Sequence, residues 1–270
     1  MLPSQPNESL IDGLACLQAV ASSGKPIGVR ETARLLNLEP TRAHRLLKTL
    51  AHLGIAAQTP ENKYVPGPGM HVLAAQSIFA SGLVRKSLPH LEILQRYGLI
   101  VAHGVLWKDQ VSYLFHADPG MSVDRALGRI GLHPATRSSI GMVLLSRNTD
   151  NEIRQLYRGR DIPGYPDGIG GLLEEICEIR KNGFAKIKAD NTMSLAVTVG
   201  NPAHSAIALS GKIDSSEVKK YFKILKDTAD KIEGPNLLTN TRKSCSGDIS
   251  CWSSNFSLFL VFNMLDTLKP

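Results

Sequence analysis

The stretch "EPTRAHRLLKTLAHLG", residues 39–54, has the pattern of a short amphipathic helix. Pro40 suits a first helical turn, where its missing N–H costs nothing, and Gly54 can end the helix. Arg42, Arg45 and Lys48 recur every third residue. The apolar positions between them are Ala43, Leu46, Leu47, Leu50 and Leu53. The pattern predicts a helix that packs its apolar side on a core and leaves a basic side free.

The flanking sequence predicts two helices before this stretch and a hairpin after it. Residues 9–24, "SLIDGLACLQAVASSG", place Leu10, Leu14, Leu17 and Ala21 on one helix face, with Ser9 as the expected N-cap. Residues 29–38, "VRETARLLNL", follow as a second helix, and Asn37 can adopt the left-handed conformation of a tight turn. Then "IAAQT", "PENK" and "YVPGP" read as strand, turn and strand. This order predicts a winged helix-turn-helix.

The third helix of such a domain enters the major groove of DNA with its N-terminal residues facing base edges. Thr41, Arg42 and Arg45 occupy those positions. Arginine pairs with O6 and N7 of guanine, and threonine can contact a phosphate or a thymine methyl group. The alternative is a basic helix face that contacts only solvent, which is common in proteins. The predicted wing and its spacing favour DNA binding over that alternative.

Three further basic residues suit the DNA backbone better than the bases. His44 and Lys48 are expected to hold phosphates, which fix the register of the protein without reading sequence. Lys63, in the hairpin turn, is expected to reach a phosphate or the adjacent minor groove.

The rest of the chain divides by pattern into three segments. Residues 1–68 form the predicted DNA-binding domain, and residues 69–82 continue as a helical linker that ends at Gly82. Residues 83–234 alternate helices with strands and predict an α+β domain with an antiparallel sheet; within them, "SVDRALGRIG", residues 122–131, is expected to be a strand. Residues 235–270 show no helical or strand period, and we expect this tail to lie outside the fold.

Residues 9–234 resemble the IclR family of bacterial transcriptional regulators. The resemblance rests on "TRAHRLLKTLAHLGIAAQTPENKYVPGPG" (41–69), "RSSIGMVLL" (137–145), and "NTMSLAVTVGNP" (191–202) followed by "AIALSG" (206–211). It implies a winged helix-turn-helix, a helical linker and a GAF-like domain that binds a small-molecule effector. It also implies a homodimer, often paired into a tetramer, on a palindromic operator. Apart from the resemblance, a two-fold dimer suits so small a DNA-binding domain, because its two copies can contact two half-sites.

By position in the family motifs, the resemblance places the effector between one helix start and the late strands. The implied effector-binding residues are Arg137, Ser138, Ser139, Asp190, Ser194 and Ser210. An arginine and serine hydroxyls suit a small organic or sugar acid. The alternatives are an exposed ion pair for the arginine and solvent-facing strand serines. Departures from the family pattern are "PATRS" before the helix, Met142 after its glycine, and Ser194 where a cysteine is common.

Composition excludes several other classes. The chain has 270 residues, a mean hydropathy of −0.07 and a net charge of +7 that is spread along its length, so the net charge itself argues little for DNA. No metal-site spacing, catalytic motif or nucleotide fingerprint occurs, which predicts no metal, no cofactor and no enzymatic activity. The longest apolar run, "FSLFLVFNML" (256–265), is too short to span a membrane. Without a signal-peptide pattern, we expect a cytoplasmic protein.

Two functions remain open at this point. The first is a transcriptional regulator that binds operator DNA under the control of an effector, which is expected to be anionic. The second is a metabolite-binding sensor or enzyme whose helix-turn-helix mediates only protein contacts. Trp107 and Tyr113, on a predicted hairpin, are expected to pack in the core, with an aromatic pocket wall as the alternative.

Overall fold

The computed structural model describes residues 5–128 and 131–234. The helices are α1 (Glu8–Ser22), α2 (Val29–Leu36), α3 (Pro40–His52), α4 (Pro68–Ser81), α5 (Leu83–Leu94), α6 (Val123–Ala126), α7 (Ser139–Leu145), α8 (Asp150–Leu156), α9 (Ile169–Asn182) and α10 (Val218–Glu233). The strands are β1 (Ala56–Gln58), β2 (Tyr64–Pro66), β3 (Ile100–Trp107), β4 (Gln110–Ala117), β5 (His133–Pro134), β6 (Ala185–Ala189), β7 (Thr192–Val199) and β8 (Ser205–Gly211).

Helices α1 to α3 and the hairpin β1–β2 form a winged helix-turn-helix, as predicted. The short core of this unit includes Cys16, Leu47 and Tyr64, all fully buried. Ile27, just before α2, exchanges two backbone hydrogen bonds with Tyr64, which fastens the start of the helix-turn-helix to the wing. Asn37 has a φ of +52° in the turn between α2 and α3, and Pro40 opens α3, both as the sequence predicts.

Helix α1 differs from its prediction at two points. Its N-cap is Asn7, whose Oδ1 accepts a hydrogen bond from the Leu10 amide at 3.0 Å, so the prediction of Ser9 was wrong. The predicted apolar face is also largely uncovered, with Leu10 61% and Leu14 49% exposed, while Cys16 is buried. Apolar residues occur on more than one side of α1, and α3 covers a different side from the one the leucines mark.

Helix α4 is the predicted linker, and it ends at Gly82 with a φ of +64°. None of its residues is buried. Its start is locked to the wing by two backbone bonds: the Gly67 N–H donates to the Ile55 carbonyl and the Gly69 N–H donates to the Gly54 carbonyl, each at 2.9 Å.

The remaining strands form one antiparallel sheet in the order β5-β4-β3-β8-β7-β6. Helices α5 and α10 pack on one face, where Leu91 and Leu225 are fully buried. Helices α7 and α9 pack on the other face, where Ile140 and Ile176 are buried. The two-sided packing confirms the predicted α+β class with an antiparallel sheet.

One predicted strand is wrong. Within residues 122–131, Val123–Ala126 form helix α6, and Leu127 makes a single bridge to Phe115. Ala126 is buried against the sheet while Arg125 and Leu127 are exposed. Four helical residues are too few for the sequence to show a helical period.

The proposed domain boundaries at residues 68, 82 and 234 stay predictions, and the tail of residues 235–270 lies outside the described residues. Within the described part of the chain, no helix combines the length and apolar character needed to cross a bilayer.

Candidate DNA-binding surface and effector cavity

Helix α3 presents an exposed polar face beside its buried one. Ala43 and Leu47 are fully buried and anchor the helix. The exposed residues on the other side are Thr41, His44, Arg45 and Lys48. Arg45 and Lys48 form no ion pair with any described residue, so their charges are free for an anionic partner. Four of the six predicted DNA-binding residues therefore lie together on one solvent-facing surface.

Arg42 lies at the margin of this surface. Its Nε forms an ion pair with Asp12 Oδ2 of α1 at 2.7 Å, and its Nη2 lies 4.0 Å from Glu8 Oε2. The Arg42 side chain is still 41% exposed. Its predicted role in base reading stays a prediction. Its carboxylate partner was missed, because Asp12 lies thirty positions earlier and nothing in the local pattern links the two.

The sixth residue, Lys63, is exposed in the turn of the wing. The turn is closed by the Thr59 N–H, which donates to the Lys63 carbonyl at 2.7 Å, and by Asn62 with a φ of +58°. Lys63 therefore lies in a short turn that a backbone hydrogen bond closes, rather than in a long loop.

A cavity of about 220 Å³ lies between the start of α7 and strands β3, β4 and β6 to β8. Five of the six residues implied by the resemblance line it: Arg137, Ser138, Ser139, Ser194 and Ser210. They come from three separate stretches of sequence that the sheet and α7 bring to one place.

Three serines form a hydrogen-bonded chain on the cavity wall. Ser194 Oγ on β7 lies 2.6 Å from Ser139 Oγ at the start of α7 and 2.6 Å from Ser210 Oγ on β8. Directly opposed strand residues bring the last two hydroxyls together, since Ser194 pairs with Ser210 in the β7–β8 register. A hydroxyl both donates and accepts hydrogen bonds, so the three serine hydroxyls can exchange their donor and acceptor roles to suit a bound group.

The start of α7 is held in place by close backbone packing. A side chain at Gly141 would place its Cβ 2.1 Å from the Ala135 carbonyl oxygen, so only glycine fits there. Thr136 Oγ1 donates to the Pro163 carbonyl at 2.6 Å, and Ser138 caps α7 by accepting from the Gly141 amide at 3.3 Å. These contacts fix the segment that carries Arg137 and Ser138 into the cavity wall.

Known proteins resemble this chain in both sequence and fold. The family model for the IclR helix-turn-helix domain matches residues 9–60. The HTH-type transcriptional regulator BhcR of Paracoccus denitrificans is 27% identical over 178 residues, which span 63% of this chain and 63% of that relative. An IclR family transcriptional regulator from Brucella abortus has the same fold, with a TM-score of 0.68, 20% identity, and coverage of 84% of this chain and 92% of that one.

The chain is therefore similar to IclR-family proteins, and the family model matches its helix-turn-helix domain. A third relative is an IclR homologue from Microbacterium hydrocarbonoxydans, solved as a complex with 4-hydroxybenzoate; it has a TM-score of 0.59, 20% identity, and coverage of 83% of this chain and 97% of that one. The Paracoccus denitrificans and Brucella abortus relatives are transcriptional regulators.

Asp190 does not line the cavity. It is exposed in the turn between β6 and β7, with a φ of +48°, while its neighbours Ala189 and Thr192 do line the cavity. Its implied part in effector binding stays a prediction.

Tyr113 packs against the core cluster, as expected, and it also lines the cavity, which was the alternative interpretation. Its hydroxyl lies 2.8 Å from Ser138 Oγ, and it is only half-buried at the cavity wall. Burial raises the pKa of the Tyr113 phenol, while the hydrogen bond to Ser138 opposes that rise, so the phenol is a neutral donor or acceptor at physiological pH. His116, Ile187 and Met193 also line the cavity and were not identified from the sequence.

Trp107 is not a core residue, and it does not line the cavity described above. It is 51% exposed at the end of β3, and its Nε1 donates to Gln18 Oε1 of α1 at 3.3 Å. Within residues 5–128 and 131–234, no group of three His, Cys, Asp or Glu residues is arranged to hold a metal ion.

Proposed function

We propose that the protein is a transcriptional regulator that binds operator DNA through α3 and the wing, and that a small organic acid in the cavity controls this binding. The observation that carries the proposal is the exposed face of α3 with Thr41, His44, Arg45 and Lys48, preceded by a tight turn and followed by a wing that carries Lys63. Arg45 and Thr41 suit base edges, and the other three suit phosphates.

The uncovered apolar side chains of α1 and α4 support a homodimer. Leu10 and Leu14 on α1 and Val72 and Phe79 on α4 are between 49% and 76% exposed. A monomer seldom leaves so many large apolar side chains in water. A two-fold dimer would present two α3 helices to a palindromic operator, with pairing into a tetramer as a further possible state.

The lining of the cavity supports an anionic, hydroxyl-bearing ligand. Arg137 can donate two hydrogen bonds to a carboxylate, and it is the sole lysine or arginine among the described residues of the lining. The serine chain and Tyr113 supply hydroxyls, while Ile140 and Ile187 supply apolar wall. The cavity holds only a small molecule, because about 220 Å³ is below the usual range of ligand sites.

The effector acts by shifting a population rather than by chemistry. A ligand that binds the DNA-competent and DNA-incompetent arrangements unequally changes the affinity for DNA by the same factor as DNA changes the affinity for the ligand. We place the protein in the cytoplasm, where the operator is accessible.

The DNA-binding part is tested with the DNA upstream of the protein's own gene at two salt concentrations. A dimer that contacts six or more phosphates should lose affinity by about a thousandfold between 50 mM and 200 mM salt. We expect Arg45→Ala to weaken binding to one preferred site, and Lys48→Ala to weaken binding to all DNA. Binding that ignores both salt and sequence would contradict the proposal and favour a helix-turn-helix that contacts only protein.

The effector part is tested by thermal shift with sugar acids, keto acids and aromatic acids. The screen begins with 4-hydroxybenzoate, since the Microbacterium hydrocarbonoxydans relative was solved with that aromatic acid. We expect a stabilising acid to lose most of its effect in Arg137→Ala and part of it in Ser194→Ala. Arg147→Ala, an exposed arginine outside the cavity lining, is the matched control. A hit that Arg137→Ala leaves unchanged would remove the proposed anion site.

A further inference from the structure

The contact between Arg42 and Asp12 joins the edge of α3 to α1. Arg42 Nε lies 2.7 Å from Asp12 Oδ2, well within hydrogen-bonding distance. The Asp12 side chain is 21% exposed and the Arg42 side chain 41% exposed, so the carboxylate end of the pair is the more enclosed one. Helices α1 and α3 are also packed against each other along their length.

The atom that Asp12 contacts decides what the rest of the guanidinium can do. A guanidinium has five N–H donors in a fixed plane, and the Asp12 carboxylate forms an ion pair beside Nε. The four N–H donors on the two Nη atoms are left for other partners. Guanine is read by two parallel donors that reach O6 and N7, and a guanidinium presents such pairs along its edges.

Stability is a weak explanation for this pair. Exposed ion pairs contribute little to folding, because solvent screens them and long side chains lose freedom when they are held. A carboxylate beside a DNA-binding helix also repels phosphates, so Asp12 carries an electrostatic cost whenever DNA is bound. The ion pair is therefore better explained by a role other than stabilising the fold or raising the general affinity for DNA.

We propose that Asp12 is a positioning residue whose ion pair holds Arg42 so that its Nη groups read a guanine in the operator. The inference rests on the proposed function, since it assigns sequence readout within that DNA-binding surface. Glu8 lies near the same guanidinium, with its Oε2 4.0 Å from Arg42 Nη2, but its side chain is 78% exposed and can move away as DNA arrives. Asp12, which is more enclosed, keeps its hold.

This arrangement has a signature that a purely structural ion pair lacks. Asp12→Asn removes a negative charge next to DNA, so affinity for random DNA should stay equal or rise. The same change frees Arg42 to adopt other rotamers, so discrimination against a substituted base pair should fall. Specificity and general affinity therefore move in opposite directions.

The experiment uses the full-length protein and a random duplex library. Wild-type protein first selects its preferred site, and competition binding then compares that site with versions in which each G·C pair is replaced. We expect Asp12→Asn to lower discrimination at one G·C pair per half-site by about tenfold, the size of one lost bidentate contact. Asp12→Glu keeps a carboxylate and should restore part of the discrimination.

Two controls separate positioning from folding and from charge. Glu31→Gln neutralises a carboxylate of α2 that pairs with Lys25 at 3.6 Å, and it should leave discrimination unchanged. Lysine has a single ammonium group, so Arg42→Lys cannot contact Asp12 and present two parallel donors to a guanine at once. This variant should lose discrimination at the same base pair as Asp12→Asn.

The outcomes distinguish the inference from the function beneath it. If the wild-type protein selects no sequence, the proposed function fails. If it selects a site and Asp12→Asn discriminates as well as wild type does, only the positioning role is overturned. The role is equally overturned if Asp12→Asn weakens binding to selected and random DNA alike while lowering the unfolding temperature, because that pattern belongs to a brace between α1 and α3.

Discussion

The thiol of Cys16 lies in the core of the winged helix-turn-helix, in the same cluster as Leu47 and Tyr64. Burial raises the pKa of this thiol to about 11, and the nearby charge of Asp12 adds to the rise. The reactive thiolate is therefore scarce at neutral pH. We expect iodoacetamide to leave Cys16 unmodified in the native protein and to modify it after unfolding.

The matched comparison is Cys177, which is exposed on α9 and should react in the native protein. Peptide mass spectrometry after timed labelling assigns the modification to each cysteine. Equal labelling rates for Cys16 and Cys177 in the native protein would contradict the burial of Cys16.

His103 predicts how stability depends on pH. It is wholly buried on β3, its Nδ1 lies 3.1 Å from Ser87 Oγ, and its Nε2 has no partner among the described residues. Burial lowers the pKa of His103 to about 4, and the charge of His204 contributes. The ordinary pKa of a histidine in an unfolded chain is about 6.5.

The sign follows from proton uptake. Between pH 6.5 and pH 4 the unfolded chain binds a proton at His103 that the folded chain does not bind, so the free energy of unfolding falls as the pH falls. The loss approaches about 1.4 kcal/mol per pH unit at most. We expect His103→Gln to have a flatter pH profile in urea unfolding, and NMR titration should show the folded imidazole to be neutral at pH 5. A native imidazole that titrates near 6.5 would contradict the prediction.

The junction between the wing and α4 depends on close backbone contact. A Cβ on Gly67 would lie 2.5 Å from the Gly54 carbonyl oxygen and 2.8 Å from the backbone of Ala56. Neither neighbour is the end of a flexible side chain, so the backbone itself would have to shift. We expect Gly67→Ala to lower the free energy of unfolding by about 1–3 kcal/mol, the usual cost of overpacking.

Gly13→Ala is the matched control for that change. Gly13 lies inside α1, and its Cβ would meet only Leu46 Cδ2 at the ordinary distance of 3.9 Å. Alanine should stabilise this helix by about 0.5–1 kcal/mol. Urea unfolding of both variants tests the contrast, and a Gly67→Ala protein as stable as wild type would show that the junction can relax.

Elements with a strong local signal were predictable from the sequence. Pro40, Asn37 and Gly82 mark helix ends that the structure shares, because each imposes its own backbone conformation. The buried side of α1 was not predictable, since α3 decides which side is covered. Helix α6 was mistaken for a strand because four residues show no period.

The cavity was predictable only in part, for a related reason. Arg137 and the serines were found through motifs that each occupy one stretch of sequence. Tyr113 and Ile187 reach the same cavity from β4 and β6, and the pairing of the strands in one sheet brings them together. Strand alternation shows that a residue faces one side of a sheet, but it does not show which side holds a cavity.

For the molecule as a whole, the uncovered face of α4 predicts the oligomeric state. Phe79 is 76% and Val72 52% exposed on α4. We expect Val72→Ser combined with Phe79→Ser to shift a dimer toward monomers in light scattering over a dilution series, and to weaken DNA binding as the two half-sites lose their link.

Leu35→Ser tests whether that effect is specific. Leu35 is 65% exposed on α2, so its replacement removes a similar amount of exposed apolar surface from a different helix. We expect this control to leave the oligomeric state unchanged. A wild-type protein that is monomeric at micromolar concentration would contradict the predicted dimer.

The absence of buried side chains on α4 also has a practical consequence for building hybrid regulators. No core within the described chain is cut between Ser81 and Gly82, where the backbone turns into the left-handed region before α5 begins. A gene fusion with its crossover at that point would carry the wing, its glycine junction and the whole of α4 from one parent, and the complete sheet with its cavity from the other. Such chimaeras offer a route to biosensors in which the promoter and the metabolite are chosen independently.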